Sequence, residues 1–341
     1  MTNRQSPTPN AQSPTPNPQS PTPNPQSPIP NPQSPIPNPK SLPRWLKRNV
    51  PQGNADHFTA RLIGQLGLQT VCDHARCPNR MECYAQKTAT LMILGEVCTR
   101  GCRFCSVRKG RPPPGGYPVD PDEPRRVAEA ARQLGLRHVV VTSVARDDLP
   151  DGGAEHFCRT IAALRRSCPA TVEVLPSDFS GNTAAVDRMI ESAPEVYNHN
   201  TETVPRLFAS VRGRQADYRW TLEIFRRISR QNPAIRLKTG LMLGLGETTE
   251  ELLDTLADLV DAGCRMLTLG QYLQPSPAQL PVVRYVRPEE FEELGRFARR
   301  LGFEQVASGP FVRSSYHARE MAGEGLSLSR KREEGRGKGE D

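Results

Sequence analysis

Two hydrophobic periods alternate along most of this chain. Runs rich in β-branched and apolar residues stand at Thr88–Glu96, His138–Ser143, Thr171–Pro176, Val196–Thr201, Arg236–Leu243 and Met266–Tyr272, and most are followed by a helical pattern. Val127, Ala130, Ala131 and Leu134 fall at i, i+3, i+4 and i+7, one face of a helix. Thr248 and Glu251 have the spacing of a capping box ahead of Leu252, Leu253 and Leu256. Strands and helices taking turns in this way build a parallel sheet covered by helices. The pattern therefore predicts an α/β fold. Six such units are too few for a closed eight-stranded barrel and predict a partial (β/α)6 TIM-type barrel, with reactive residues at the C-terminal ends of its strands.

The flanks read differently. Residues 5–39 are five copies of a seven-residue unit, QSPTPNA once and then QSPTPNP and QSPIPNP twice each. Proline fixes φ and lacks an N–H, so this segment can join neither a helix nor a sheet ladder and is expected to be a disordered or polyproline II spacer without chemistry. The expected organisation is then residues 1–40 as disordered repeat, 41–87 as an N-terminal extension, 88–305 as the barrel, 306–321 as a C-terminal segment and 322–341 as a disordered charged tail. The extensions, around Trp45 and Arg313, are expected to cover the barrel mouth and keep water out.

With 341 residues, 36% hydrophobic and 24% charged, the chain can bury one large core once the repeat is set aside. No run of about eighteen apolar residues occurs, and the polar N-terminus lacks the form of a secretory signal, so no membrane span and a cytoplasmic location are expected. A net charge of +8 invites a nucleic-acid reading, but the tail is charge-balanced and is no basic arm. Arg100, Arg103, Arg108, Lys109 and Arg111 form an acid-free basic stretch that suits an anionic group or an acidic partner, or simply a solvated loop. The chain holds nine cysteines, an odd number, and six crowd between Cys72 and Cys105. That distribution disfavours a disulfide framework and points to metal or redox chemistry.

Cys98, Cys102 and Cys105 form a C-x3-C-x2-C loop directly after the first strand. Three thiolates can hold three irons of a [4Fe–4S] cluster and leave the fourth open to chelate S-adenosylmethionine, which one electron splits into methionine and a 5′-deoxyadenosyl radical. A structural zinc site is the alternative, but it normally recruits four Cys or His ligands. Cys72, Cys77 and Cys83, spaced C-x4-C-x5-C, offer a second set of three thiolates, which implies a second cluster in need of a fourth ligand.

The first loop, with Phe104 before its third cysteine, resembles the radical S-adenosylmethionine superfamily, where that aromatic residue lies near the adenine. Both cysteine spacings together with Arg313-Ser314-Ser315-Tyr316 resemble the lipoyl synthase family, and so do ATLMILGEVCTRGCRFC, TSVARDDLPDGGAEHF, YNHNTETVPRL, KTGLMLGLGE and LGQYLQPS. The similarity spans about Ser41 to Arg319. It implies that Ser315 is the fourth ligand of the auxiliary cluster and takes part in catalysis, since an alkoxide holds iron less firmly than thiolate does. It implies sulfur insertion at C6 and C8 of an octanoyl group on a lysine of a lipoyl carrier domain, with the auxiliary cluster as the consumed sulfur donor. The implied partners are that octanoylated carrier, an electron donor such as ferredoxin or flavodoxin, and an iron–sulfur carrier for rebuilding the cluster. Rival readings are a biotin-synthase-like enzyme, a methylthiotransferase and a non-enzymatic metal-binding protein.

Position along the strands suggests further cofactor contacts: Thr142 and Ser143 end the second strand, Asn198 and Asn200 the fourth, and Lys238 lies in the fifth. Gly244, Gly246 and Glu247 make a turn where backbone could approach adenosine, with Gly246 the candidate, although an ordinary βα loop reads the same way. Cys158, Cys168 and Cys264 read as small buried hydrophobes, and His199 and His317 are left without a role.

Overall fold

A computed structural model describes residues 42–47 and 56–323. The repeat and the charged tail from residue 324 lie outside the described residues. Eight strands form one sheet in chain order: β1 (Gln69–Thr70), β2 (Thr90–Ile93), β3 (His138–Ser143), β4 (Thr171–Leu175), β5 (Val196–Asn198), β6 (Arg236–Leu243), β7 (Met266–Gln271) and β8 (Gln305–Gly309). β1 runs antiparallel to β2, and every later pair is parallel.

The six expected strands are β2 to β7, and at least one helix follows each of them. β8 is an addition. It pairs with β7 from Met266↔Gln305 to Gly270↔Gly309. Its sequence, Gln-Val-Ala-Ser-Gly, has one β-branched residue and no alternation, so the ladder with β7 makes it a strand where propensity does not.

The helices form for local reasons. In Glu123–Leu134, Val127, Ala130, Ala131 and Leu134 all face the core, and Gly135 closes the helix at φ 67°, a left-handed conformation suited to glycine. Thr248 and Glu251 form the expected capping box on Thr249–Asp261.

The sheet curves around a polar interior. Glu173 on β4 reaches past β5 to Lys238 on β6, with Nζ 2.9 and 3.1 Å from its carboxylate oxygens, and also meets His138 on β3 and Asn198 on β5. One side chain can touch three other strands only on the concave face. Alternate residues therefore point inward, while Val139 and Val141 of β3 and Val172 and Val174 of β4 join the outer core beneath the helices.

The C-terminal segment enters this interior. Ser314 accepts a hydrogen bond from Asn198 at 3.1 Å, and Met321 packs on Val196 and Met266, near the N-terminal ends of their strands. Val196 and Asn198 share one face of β5, so the chain from Ser314 to Met321 descends along the inside of the barrel.

Candidate active site

The Cys98–Cys105 loop leaves β2 through Leu94 and Gly95, both at positive φ (68° and 89°). The Leu94 N–H donates to the buried Glu123 carboxylate at 2.8 Å. Cys98 is pinned by main-chain bonds, its N–H to the Arg108 carbonyl and its carbonyl to the Gly110 N–H. Its sulfur accepts from the N–H groups of Arg100 and Ala145 at 3.4 and 3.3 Å. The Arg103 N–H donates to the Val211 carbonyl, and the Cys102 thiol to that of Arg212.

Arg100 does not serve as a free cation for a partner. It is buried and paired with Asp147 and Asp178, so the basic stretch owes one of its charges to an internal network. Arg108 pairs with Glu96 at the surface.

Cys72 lies on the short helix Val71–His74, Cys83 on the helix Arg80–Ala85, and Cys77 between them. Thr70 caps the first helix through the Asp73 N–H. The two extensions meet here. Asn79 donates to the Phe311 carbonyl at 2.8 Å, Tyr316 to Glu82 at 2.8 Å, and Arg76 to the Pro275 carbonyl at 3.3 Å. The Asn79 and Tyr316 bonds carry Ser315 to the Cys72 segment across more than two hundred residues, and the Arg76 bond ties that segment to the loop after β7.

A cavity of about 400 Å³ reaches all three cysteines of the Cys72 set and Cys105 of the other, while Cys98 and Cys102 do not line it. Phe104, Cys105, Cys72, Cys77, Cys83 and Ser315 all line it. Leu175, Asn200, Met242, Tyr272, Leu273 and Arg313 line it as well. Burial pushes the Cys72 and Cys105 thiols up to about 12, and burial raises Cys102 as well. Thiols held this way ionise when a cation replaces their protons. Among the described residues no three His, Cys, Asp or Glu side chains gather around one point as a single-ion site requires. Four of the six cysteines line a cavity instead, and two sets of three soft donors suit iron–sulfur clusters.

Of the residues expected to touch cofactor, Phe104 and Asn200 line this cavity, and Thr142, Ser143, Asn198, Lys238 and Gly246 do not. The Thr142 hydroxyl is spent on the Leu175 carbonyl, and Ser143 ends β3 half-buried. Asn198 bridges Glu173 and Ser314. Lys238, third in an eight-residue strand, sits too deep and is fully buried against Glu173. The Gly246 carbonyl accepts from Arg206.

Glu202 and Arg212, which sequence reasoning did not single out, stand beside the cavity-lining Asn200. Burial raises the Glu202 carboxyl against the pull of Arg212, which also donates to the Asn200 carbonyl. Glu202 holds φ 70°, a backbone strain that clusters at functional sites. Its place in YNHNTETVPRL, four residues past β5, was the available signal.

Residues 92–259 match the radical SAM superfamily. The lipoyl synthase of Rhodopirellula baltica is 59% identical over 281 residues, 82% of this chain and 88% of that protein. The lipoyl synthase of Caldanaerobacter subterraneus is 51% identical over 84% of this chain and 98% of its own length. Among solved structures, methylornithine synthase aligns with a TM-score of 0.49 at 14% identity, covering 73% of this chain and 76% of that one. Identity at this level, carried over nearly the full length of the curated relatives and including the radical SAM region, places the chain in the lipoyl synthase family.

Proposed function

We propose that this chain inserts sulfur at C6 and C8 of an octanoyl group held on a lysine of a lipoyl carrier domain. The observation that carries the reading is one cavity lined by Cys72, Cys77, Cys83 and Ser315 together with Phe104, Cys105 and apolar side chains. Cys98, Cys102 and Cys105 would hold one [4Fe–4S] cluster, and Cys72, Cys77, Cys83 and Ser315 the auxiliary one. When bound, these groups supply reductive cleavage of S-adenosylmethionine and the sulfur that is inserted.

The protein's own part is positioning. Leu175, Met242, Tyr272 and Leu273 give an acyl chain an apolar bed in the cavity that Cys105 and the Cys72 set line. Phe104 offers a face for the adenine, while Asn200, Glu202 and Arg212 offer polar groups to S-adenosylmethionine beside the Cys98 loop. Proximity of radical, carbon and sulfur is the main demand on such a site. The Asn79–Phe311 and Tyr316–Glu82 bonds hold the two extensions over it and limit access of water.

The same reading proposes ferredoxin or flavodoxin as reductant, an iron–sulfur carrier for renewal and a cytoplasmic location. No helix among the described residues is long and apolar enough to cross a membrane.

An anaerobic assay on an octanoyl-lysine peptide, with mass spectrometry, tests the proposal. Products one and two sulfurs heavier are expected, from protein holding about eight irons per chain. Deoxyadenosine formed without sulfur insertion leaves only the superfamily chemistry, and zinc in place of iron refutes the reading.

A further inference from the structure

The Cys98–Cys105 loop divides between the cavity and the surface. Phe104 and Cys105 line the cavity, whereas Thr99, Gly101, Cys102 and Arg103 do not. Gly101 is exposed, and a side chain there would meet no atom within 4 Å, so the loop reaches solvent directly beside Cys102. Residues 211–214 pack against this outer part. The Arg103 N–H donates to the Val211 carbonyl at 2.8 Å, and the Cys102 thiol to the Arg212 carbonyl at 3.4 Å. Gly213, at φ 88°, lies so close that a Cβ on it would stand 3.9 Å from the Gly101 carbonyl. The Arg103 carbonyl accepts from the Leu280 N–H at 3.1 Å, which fixes the loop from its other side.

Three cations leave this fixed main chain. Arg103 belongs to the loop, Arg214 follows Gly213, and the main chain of Lys109 bridges in parallel with that of Cys98. All three are exposed, and among the described residues none has a side-chain hydrogen bond or ion pair. The carboxylates of the neighbourhood are already taken: Glu96 by Arg108, Asp147 and Asp178 by Arg100, and Asp217 by Arg219. Uncompensated surface charge of one sign steers a protein of the opposite sign to the place where it is concentrated.

We infer that Arg103, Lys109 and Arg214 form the docking surface for an acidic one-electron carrier protein, which reduces the cluster of Cys98, Cys102 and Cys105 from outside the acyl cavity. The inference rests on the function proposed above, in which each cleavage of S-adenosylmethionine takes one electron. The carrier loses that electron and the cluster gains it; no group is transferred. A small, polar and salt-sensitive interface is typical of such encounters. The acyl carrier must instead reach the cavity, whose exposed lining residues are Arg76, Pro78 and Gln274. Separate surfaces let the second electron arrive while a chain with one inserted sulfur stays in the cavity.

The test compares two reductants on the cluster-loaded full chain: an acidic flavodoxin, chemically reduced, and dithionite, which needs no docking surface. Lys109→Glu combined with Arg214→Glu reverses two charges and leaves Cys98–Cys105 unaltered; Arg103→Glu is made separately. The double variant is expected to raise the KM for flavodoxin about tenfold in deoxyadenosine formation, and to keep the dithionite-driven rate within about twofold of wild type. Calorimetric titration with oxidised flavodoxin reads the same loss of affinity without turnover, and added salt is expected to weaken wild-type binding more than that of the variant. Arg103→Glu is expected to weaken the titrated affinity further when added to the double variant. Lys109→Arg combined with Arg214→Lys, which keeps both charges, is expected to behave as wild type.

Unchanged flavodoxin affinity in the double variant overturns the inference. An equal loss with dithionite does so too, since the two cations then serve the cluster site itself. A loss confined to the use of an octanoylated carrier domain also overturns it and gives the patch to the acyl carrier. So does a wild-type chain that dithionite reduces and flavodoxin neither binds nor reduces. Cleavage without sulfur insertion under both reductants removes the proposed function and leaves the docking surface in place.

Discussion

Replacing Ser315 by alanine takes one oxygen from the wall that also carries Cys72, Cys77 and Cys83. The Ser315→Ala protein is expected to cleave S-adenosylmethionine and yet leave the octanoyl peptide without sulfur, a split read by quantifying deoxyadenosine and peptide mass in one reaction. Lys238 has a different part. Burial pushes the Glu173 carboxyl up, but Lys238 and His138 outweigh burial and hold it at about 2. Removing one partner of a buried pair typically costs about 3–5 kcal/mol, because the other charge is left uncompensated. Lys238→Met is therefore expected to lower stability by about that amount, measured by urea unfolding. The pH dependence follows from the depressed carboxyl. Its contribution is complete above the ordinary value of 4.5 and is lost as pH falls toward about 2, so the gap between wild type and Lys238→Met should narrow in acid.

At the scale of elements, helix starts and strand ends decide where chemistry is placed. The Thr248–Glu251 capping box fixes the start of the helix Thr249–Asp261 directly after the turn that leaves β6. Thr248→Ala is expected to cost about 1 kcal/mol, the usual value of an N-cap, without changing S-adenosylmethionine cleavage; denaturant midpoints and deoxyadenosine yield check the two halves. The strands show why Lys238 and Met242 differ. Both point inward from β6, but four residues of strand separate them, about 13 Å at 3.3 Å per residue. One lies in the lumen, and the other borders the cavity at the strand's C-terminal end.

For the whole molecule, the reactive cavity is completed by segments from both ends of the chain. Leu46, in the short helix Arg44–Leu46, is buried, so this entry segment packs rather than trails. Deleting residues 1–47 is expected to leave S-adenosylmethionine cleavage in place and to reduce the fraction of cleavage events that end in sulfur insertion. Unchanged coupling, measured as deoxyadenosine per sulfur inserted, would remove this segment from the cover of the site.

The sequence by itself determined six of the parallel strands, the capping box and both cysteine triplets, because each rests on local spacing: alternation, helical period or thiolates close enough to share one cluster. It also singled out the Arg313–Tyr316 motif, although only by likeness to relatives. Tertiary structure alone decided the rest. β8 is a strand because β7 offers it a ladder, and Lys238 turns from a candidate ligand into an internal counter-ion because Glu173 lies across the barrel from it. Ser315 comes beside Cys72 because Asn79 and Glu82 bond Phe311 and Tyr316. Side-chain period tells which way a residue points. How deep it lies in the barrel, and what distant charge or carbonyl meets it there, depends on how the strands curve around one another.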